Sequence, residues 1–141
     1  MSAFSKAADI FLAFICMFLL PFFLCRTEIR NKAAENAGTD AMVFLEKTAT
    51  ARALDKEILG SLLKTSAYGY SETEIEIERT EYIPGREEPV RARYSHKELM
   101  QLLDTYGTLP LKAFDRVIIR IRERGTMPFT PDTVRTFEKR I

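Results

Sequence analysis

Cysteine, histidine and tryptophan are nearly missing from this chain: two cysteines, a single histidine at position 96 and no tryptophan in 141 residues. Cys16 and Cys25 both fall in one apolar run, about 13 Å apart along a helix, too far for a disulfide between them. A disulfide-stapled scaffold is therefore excluded. From Arg26 onward there is no cysteine at all, so this part carries no sign of its redox compartment. With one histidine and no cysteine outside the apolar run, no zinc-type ligand spacing exists. There is no phosphate-cradling glycine loop and no nucleophile elbow. His96 sits at the first position of a capped helix, where the sequence places it in solvent with no catalytic part. An enzyme is not expected, and no cofactor, metal or small-molecule substrate is expected either. Neither sign of charge dominates, with 21 basic residues against 20 acidic ones and a formal net charge of +1. A dedicated nucleic-acid binder carries a clear basic excess, so nucleic acid is not an expected partner.

What the chain does have is one long apolar run. Ile10 to Cys25 reads IFLAFICMFLLPFFLC, without a charge, amide or hydroxyl. As a helix these residues rise about 24 Å, slightly short of a hydrocarbon core of about 30 Å. Ala7 and Ala8 lengthen the run, and Lys6 and Arg26 can snorkel at its ends. The primary reading is a retained transmembrane anchor. A cleaved secretory signal and a buried core helix are the alternatives, although no small-x-small cleavage pattern follows the run. Pro21 removes a backbone donor inside it and is expected to kink or loosen the helix. Arg26, Arg30 and Lys32 follow the run, while Lys6 and the terminal amine precede it with Asp9 as a partial offset. By the positive-inside bias the later cluster favours a cytoplasmic C-terminal domain, by a margin of about one charge.

Past the run, residues 26–66 read as an amphipathic helical stalk. Ile29, Ala33, Ala37, Ala41 and Leu45 recur every four residues, a small-residue stripe suited to close packing on another helix. Residues 36–40, Asn-Ala-Gly-Thr-Asp, are a candidate break, with Thr39 or Asp40 capping a new helix. Leu54, Ile58, Leu59, Leu62 and Leu63 continue the pattern after a shift, and residues 66–69 close it. Residues 67–141 then read as a small domain. Glu72, Glu74, Glu76 and Glu78 alternate with Thr73, Ile75, Ile77 and Arg79, the period of a strand. After a Pro84-Gly85 turn, Val90, Ala92 and Tyr94 against Arg91 and Arg93 make a returning strand. Ser95-His96-Lys97-Glu98 is a capping box opening a helix with Leu99, Leu102, Leu103 and Tyr106 on one face, and Gly107 is placed to end it. A third strand covers 114–124, with Val117, Ile119 and Ile121 facing one way and Arg116, Arg120, Arg122 and Arg124 the other. Thr130-Pro131-Asp132 has the pattern of a helix start. The fold class is α+β: a transmembrane helix with a helical continuation, then an antiparallel sheet of about three strands with one or two short helices. The glutamates Glu72 to Glu78 and the arginines Arg91, Arg93, Arg120 and Arg122 are expected to form cross-strand ion pairs on the solvated face of that sheet. The alternative is a charged surface that selects a neighbouring subunit.

A basic flank (residues 1–9), an apolar helix with an internal proline (10–25), an alanine-rich continuation and a small sheet domain together resemble the pilin-like architecture. The nearest group is the TadE/TadF-like pseudopilins of tight-adherence (Flp-type) pilus systems. The resemblance implies a bacterial, non-enzymatic subunit of a pilus or secretion apparatus. It would sit in the cell membrane with its small domain outside and assemble through its N-terminal helix with copies of itself or related subunits. Lys6, Ala7 and Ala8 would form the leader-processing region; the glutamate such sites place at the fifth mature position is replaced by Leu12 or Phe11. The reading from a different class is a bitopic accessory or regulatory protein whose domain lies in the cytoplasm.

Overall fold

The structure, a computed structural model, describes residues 2–68, 71–125 and 131–141. Helix α1 (Ala3–Ala51) is followed by strand β1 (Ala53–Asp55) and helix α2 (Lys56–Tyr68). Strands β2 (Ser71–Glu81) and β3 (Val90–Tyr94) come next, then helix α3 (His96–Tyr106). Strands β4 (Thr108–Pro110), β5 (Arg116–Glu123) and β6 (Thr133–Arg140) complete the order. The fold is α+β, and its contacts divide into two units, Met1–Glu35 and Asn36–Ile141.

In the first unit, the helix runs through Pro21 without interruption. Every side chain from Ile10 to Leu24 is exposed except that of half-buried Ile15. The Phe14 ring meets Phe18 at 4.5 Å one turn on. The Thr27 hydroxyl donates to the Phe23 carbonyl at 2.9 Å, a back-bond that lets a polar residue follow the apolar run without an unpaired donor.

The second unit is a four-stranded antiparallel sheet of order β3-β2-β5-β6 beside a two-stranded sheet of β1 and β4. The period-two pattern of β2 and β5 turns Ile75, Ile77, Val117, Ile119 and Ile121 inward, all at 0% exposure. They share one core with Ala37, Ala41, Phe44 and Leu45 of α1, Leu59 and Leu62 of α2, and Leu99 and Leu103 of α3. Full burial of one such isoleucine or leucine contributes about 1.5–3 kcal/mol. Ser95 caps α3, its Oγ accepting from the Glu98 amide, and Gly107, with φ of 76°, closes α3 through a 2.7 Å bond to the Leu103 carbonyl.

Four expectations are corrected. The helix does not break at residues 36–40. Gly38 is a helical residue whose missing Cβ would lie 3.3 Å from Arg135 Nη1 and 3.4 Å from Phe137 Cζ, so the glycine marks a close approach of β6 rather than a terminus. The true break comes at Arg52, with φ of 51°, and β1. There Asp55 caps α2 by accepting from the Glu57 amide at 3.0 Å. Secondly, residues 36–66 are not a stalk apart from the sheet: they belong to the same unit, because their apolar face is the sheet's cover. Thirdly, Pro131-Asp132 opens a strand instead of a helix. Thr133, Val134 and Thr136 are β-branched, and β6 pairs along its whole length with β5, from Thr133 opposite Glu123 to Arg140 opposite Arg116. Lastly, β6 is the strand beyond the expected three, and β1 and β4 add a second sheet whose strands are too short for periodicity to reveal. Gly69 and Thr130, assigned to a helix end and a helix start, lie outside the described residues.

Candidate functional site

The outer face of the sheet carries the charges that the alternation foretold. By register, Glu72 lies opposite Arg122, Glu74 opposite Arg120 and Glu78 opposite both Arg116 and Arg93. The ion pairs, however, run diagonally more often than straight across. Glu76 receives Arg93 at 2.7 Å and Arg120 at 2.6 Å, while Glu78 pairs with Arg116 and Glu72 with Arg124 at 3.2 Å. An arginine is long enough to reach a carboxylate two residues along the neighbouring strand, and its fork makes such contacts bidentate. Burial pushes the Glu76 carboxyl up, but the bonds from Arg93 and Arg120 outweigh it and hold the group below its ordinary 4.5. Arg91 faces Thr80, not a glutamate, and neither Arg91 nor Arg122 makes an ion pair among the described residues. Beneath this lattice lies Ile118, only 4% exposed although it sits on the charged side between Glu76 and Glu138.

On the inner face the alternation ends with a cation. Arg79 follows Ile75 and Ile77 inward and meets Asp115, whose side chain is 1% exposed. Arg79 Nε donates to Asp115 Oδ1 at 3.2 Å and Nη2 to Oδ2 at 3.0 Å. The guanidinium also reaches the Pro110 carbonyl at 3.3 Å and lies 5.6 Å from the Tyr94 ring centre. Asp115 accepts in addition from the Lys112 amide at 2.8 Å, and its carbonyl takes the Ile141 amide at 2.8 Å. The pair thus ties β2, the approach to β5 and the residue after β6 together. The hydrogen bond to Asp115 raises the affinity of Arg79 for its proton above that of a free arginine. Sequence reasoning missed Asp115, although the signal was present: a lone arginine in inward phase requires a buried anion.

His96 is likewise a correction. It is half-buried, and its Nδ1 accepts from the Ile75 amide at 3.2 Å. Strand β3 pairs with β2 only from Ile77 onward, so the imidazole takes up the next amide that the shorter strand leaves open. Its part is structural.

The candidate helix-packing stripe divides. Ile29 is exposed and Ala33 half-buried in the first unit, whereas Ala37, Ala41 and Leu45 are buried in the core of the second. That half of the stripe is corrected: it packs on this chain's own sheet and is not open to another helix. Lys6, Ala7 and Ala8 lie in the first turns of α1 with exposed side chains. The helix that contains them is long and apolar enough to cross a membrane, with none of its apolar window buried. Among the described residues no group of three His, Cys, Asp or Glu side chains is placed to hold a metal ion. No family model, curated protein or solved structure matches the chain.

Proposed function

We propose that this chain is a non-enzymatic, single-span membrane subunit, a pseudopilin or minor-pilin-like component of a pilus or secretion apparatus. Its apolar helix is the anchor and the contact with neighbouring subunits. The observation that carries the reading is the fully exposed apolar surface of α1, where Ile10, Phe11, Leu12 and Phe14 are 72%, 66%, 62% and 59% open. A surface of this size is covered by lipid or by other helices in a working protein. With Ala37, Ala41 and Leu45 engaged in the core, the helix–helix contacts of the assembly fall to the segment before Ala33. The test is the intact mass and N-terminal residue of the protein isolated from native membranes. A start at Ala7, Ala8 or Asp9 supports leader processing and the pilin-like reading. A start at Met1 removes that support, and a soluble product lacking Cys16 overturns the anchor.

Arg26, Arg30 and Lys32 favour a second reading, a bitopic accessory protein with a cytoplasmic domain. Residues 26–141 contain no native cysteine. A cysteine placed at exposed Glu88 therefore reports the side of the membrane by its reaction with an impermeant thiol reagent. Labelling of intact cells sinks the cytoplasmic reading; labelling only after lysis sinks the external one.

A further inference from the structure

On the outer face of the sheet, ion pairing is uneven. Toward the middle each available cation has a carboxylate: Arg93 and Arg120 on Glu76, Arg116 on Glu78. At the end where β2 finishes the balance fails. Glu78, Thr80, Arg91, Phe114, Arg116 and Arg140 line one hollow of about 140 Å³. Register explains the grouping. Arg91 stands opposite Thr80, Glu78 opposite Arg116, and Arg116 opposite Arg140. Three guanidiniums share the hollow with a single carboxylate, and that carboxylate is bonded to Arg116. Glu138 approaches Arg116 too, at 3.6 Å. Arg91 and Arg140 have no ion-pair partner among the described residues, and Arg140 directly faces another arginine, an arrangement that like-charge repulsion opposes.

Phe114 is the second, independent observation. It has a positive φ of 70°, rare for a bulky side chain, and its ring is 61% exposed at the rim of this hollow. Its amide donates to the main-chain oxygen of Ile141 at 3.1 Å, which holds the residue in that conformation. An open aromatic ring beside two uncommitted guanidinium forks is a surface for a planar or apolar group that carries a charged oxyanion.

We infer that this hollow is an oxyanion-binding site, taking the phosphate or carboxylate of an organic anion between Arg91 and Arg140 with its planar part against Phe114. The two arginines supply paired N–H donors suited to a tetrahedral or trigonal oxyanion, while Arg116, already paired with Glu78, lines the hollow between them. The Thr80 hydroxyl supplies a donor without charge. The inference does not depend on which membrane reading holds.

The test uses the full chain in maltoside micelles, which contain no phosphate, titrated with inorganic phosphate, phenyl phosphate and benzoate while backbone and arginine Nε–H resonances are followed. Saturable shifts at Thr80, Arg91, Phe114 and Arg140 are expected, with phenyl phosphate tighter than inorganic phosphate, and its rank against benzoate separates phosphate from carboxylate. Arg140→Gln and Arg91→Gln, both at exposed positions, are expected to weaken phenyl phosphate at least tenfold. Phe114→Leu should remove the advantage of phenyl phosphate while leaving inorganic phosphate unchanged. Arg122→Gln, on the same face outside the hollow, is expected to change nothing. Non-saturating shifts spread over the whole face, or equal losses in Arg122→Gln and Arg140→Gln, overturn the site, as does the absence of any shift.

Discussion

Asp115 and Glu76 show how much a single carboxylate depends on its setting. Asp115 is the anion of a buried pair, and breaking such a pair from one side leaves a charge without compensation. Asp115→Ala is expected to destabilise the second unit by about 3–5 kcal/mol, measured by denaturant unfolding, because Arg79 stays inside. The Arg79→Met/Asp115→Leu double variant should recover most of that loss; a double variant no better than the single would show that the cost lies in packing around Asp115. Glu76 lies on the opposite face, its side chain 18% exposed between Arg93 and Arg120. Its folded-state affinity for a proton is depressed, so its contribution is present above its ordinary value of 4.5 and is lost as pH falls through the lower folded value. The difference in melting temperature between the wild type and Glu76→Gln should therefore be largest at neutral pH and shrink as pH falls below 4.5 through the lower folded value. A difference that grows on acidification would contradict the ion-pair account.

Among the elements, α1 carries the clearest lesson about close packing. Ala37 and Ala41 are small because the sheet lies against them, so Ala37→Leu is expected to overpack the core and cost about 1–3 kcal/mol in the unfolding free energy. An unchanged stability would mean that the helix can shift to make room. The period of four in Ile29 to Leu45 was legible in the sequence, and so were β2, β3, the capped α3 and β5, since each has a strong period or a cap. What covers the stripe was not legible, because small residues at helical spacing serve a sheet as well as a helix. Strand β6 was obscured by Thr-Pro-Asp, a sequence common at helix starts, while the β-branched residues after it carried the opposite signal. In the charged face the rows of glutamate and arginine could be read, but the diagonal pairing and the surplus at Arg91 and Arg140 follow from a register that hydrophobic alternation alone does not set.

At the scale of the whole molecule, the division between Glu35 and Asn36 makes a direct prediction. A chain of residues 36–141 retains every buried apolar residue of the core and is expected to unfold cooperatively as a soluble monomer. A chain of residues 67–141 lacks the α1 and α2 cover and should show no cooperative transition in circular dichroism. Cooperative unfolding of the shorter chain would restore the stalk as a separate element. The ion pair of Glu46 with Lys139, at 2.6 Å, joins residues 93 positions apart, and Gly38 lies against Phe137 beyond it. This long reach has a consequence for the order of biosynthesis. At about 5–20 residues per second, a ribosome needs roughly 5–20 s to make the stretch between those two partners. During that interval the apolar helix is already complete while the sheet still waits for its last strand, so closure of the domain is left to the end of its synthesis.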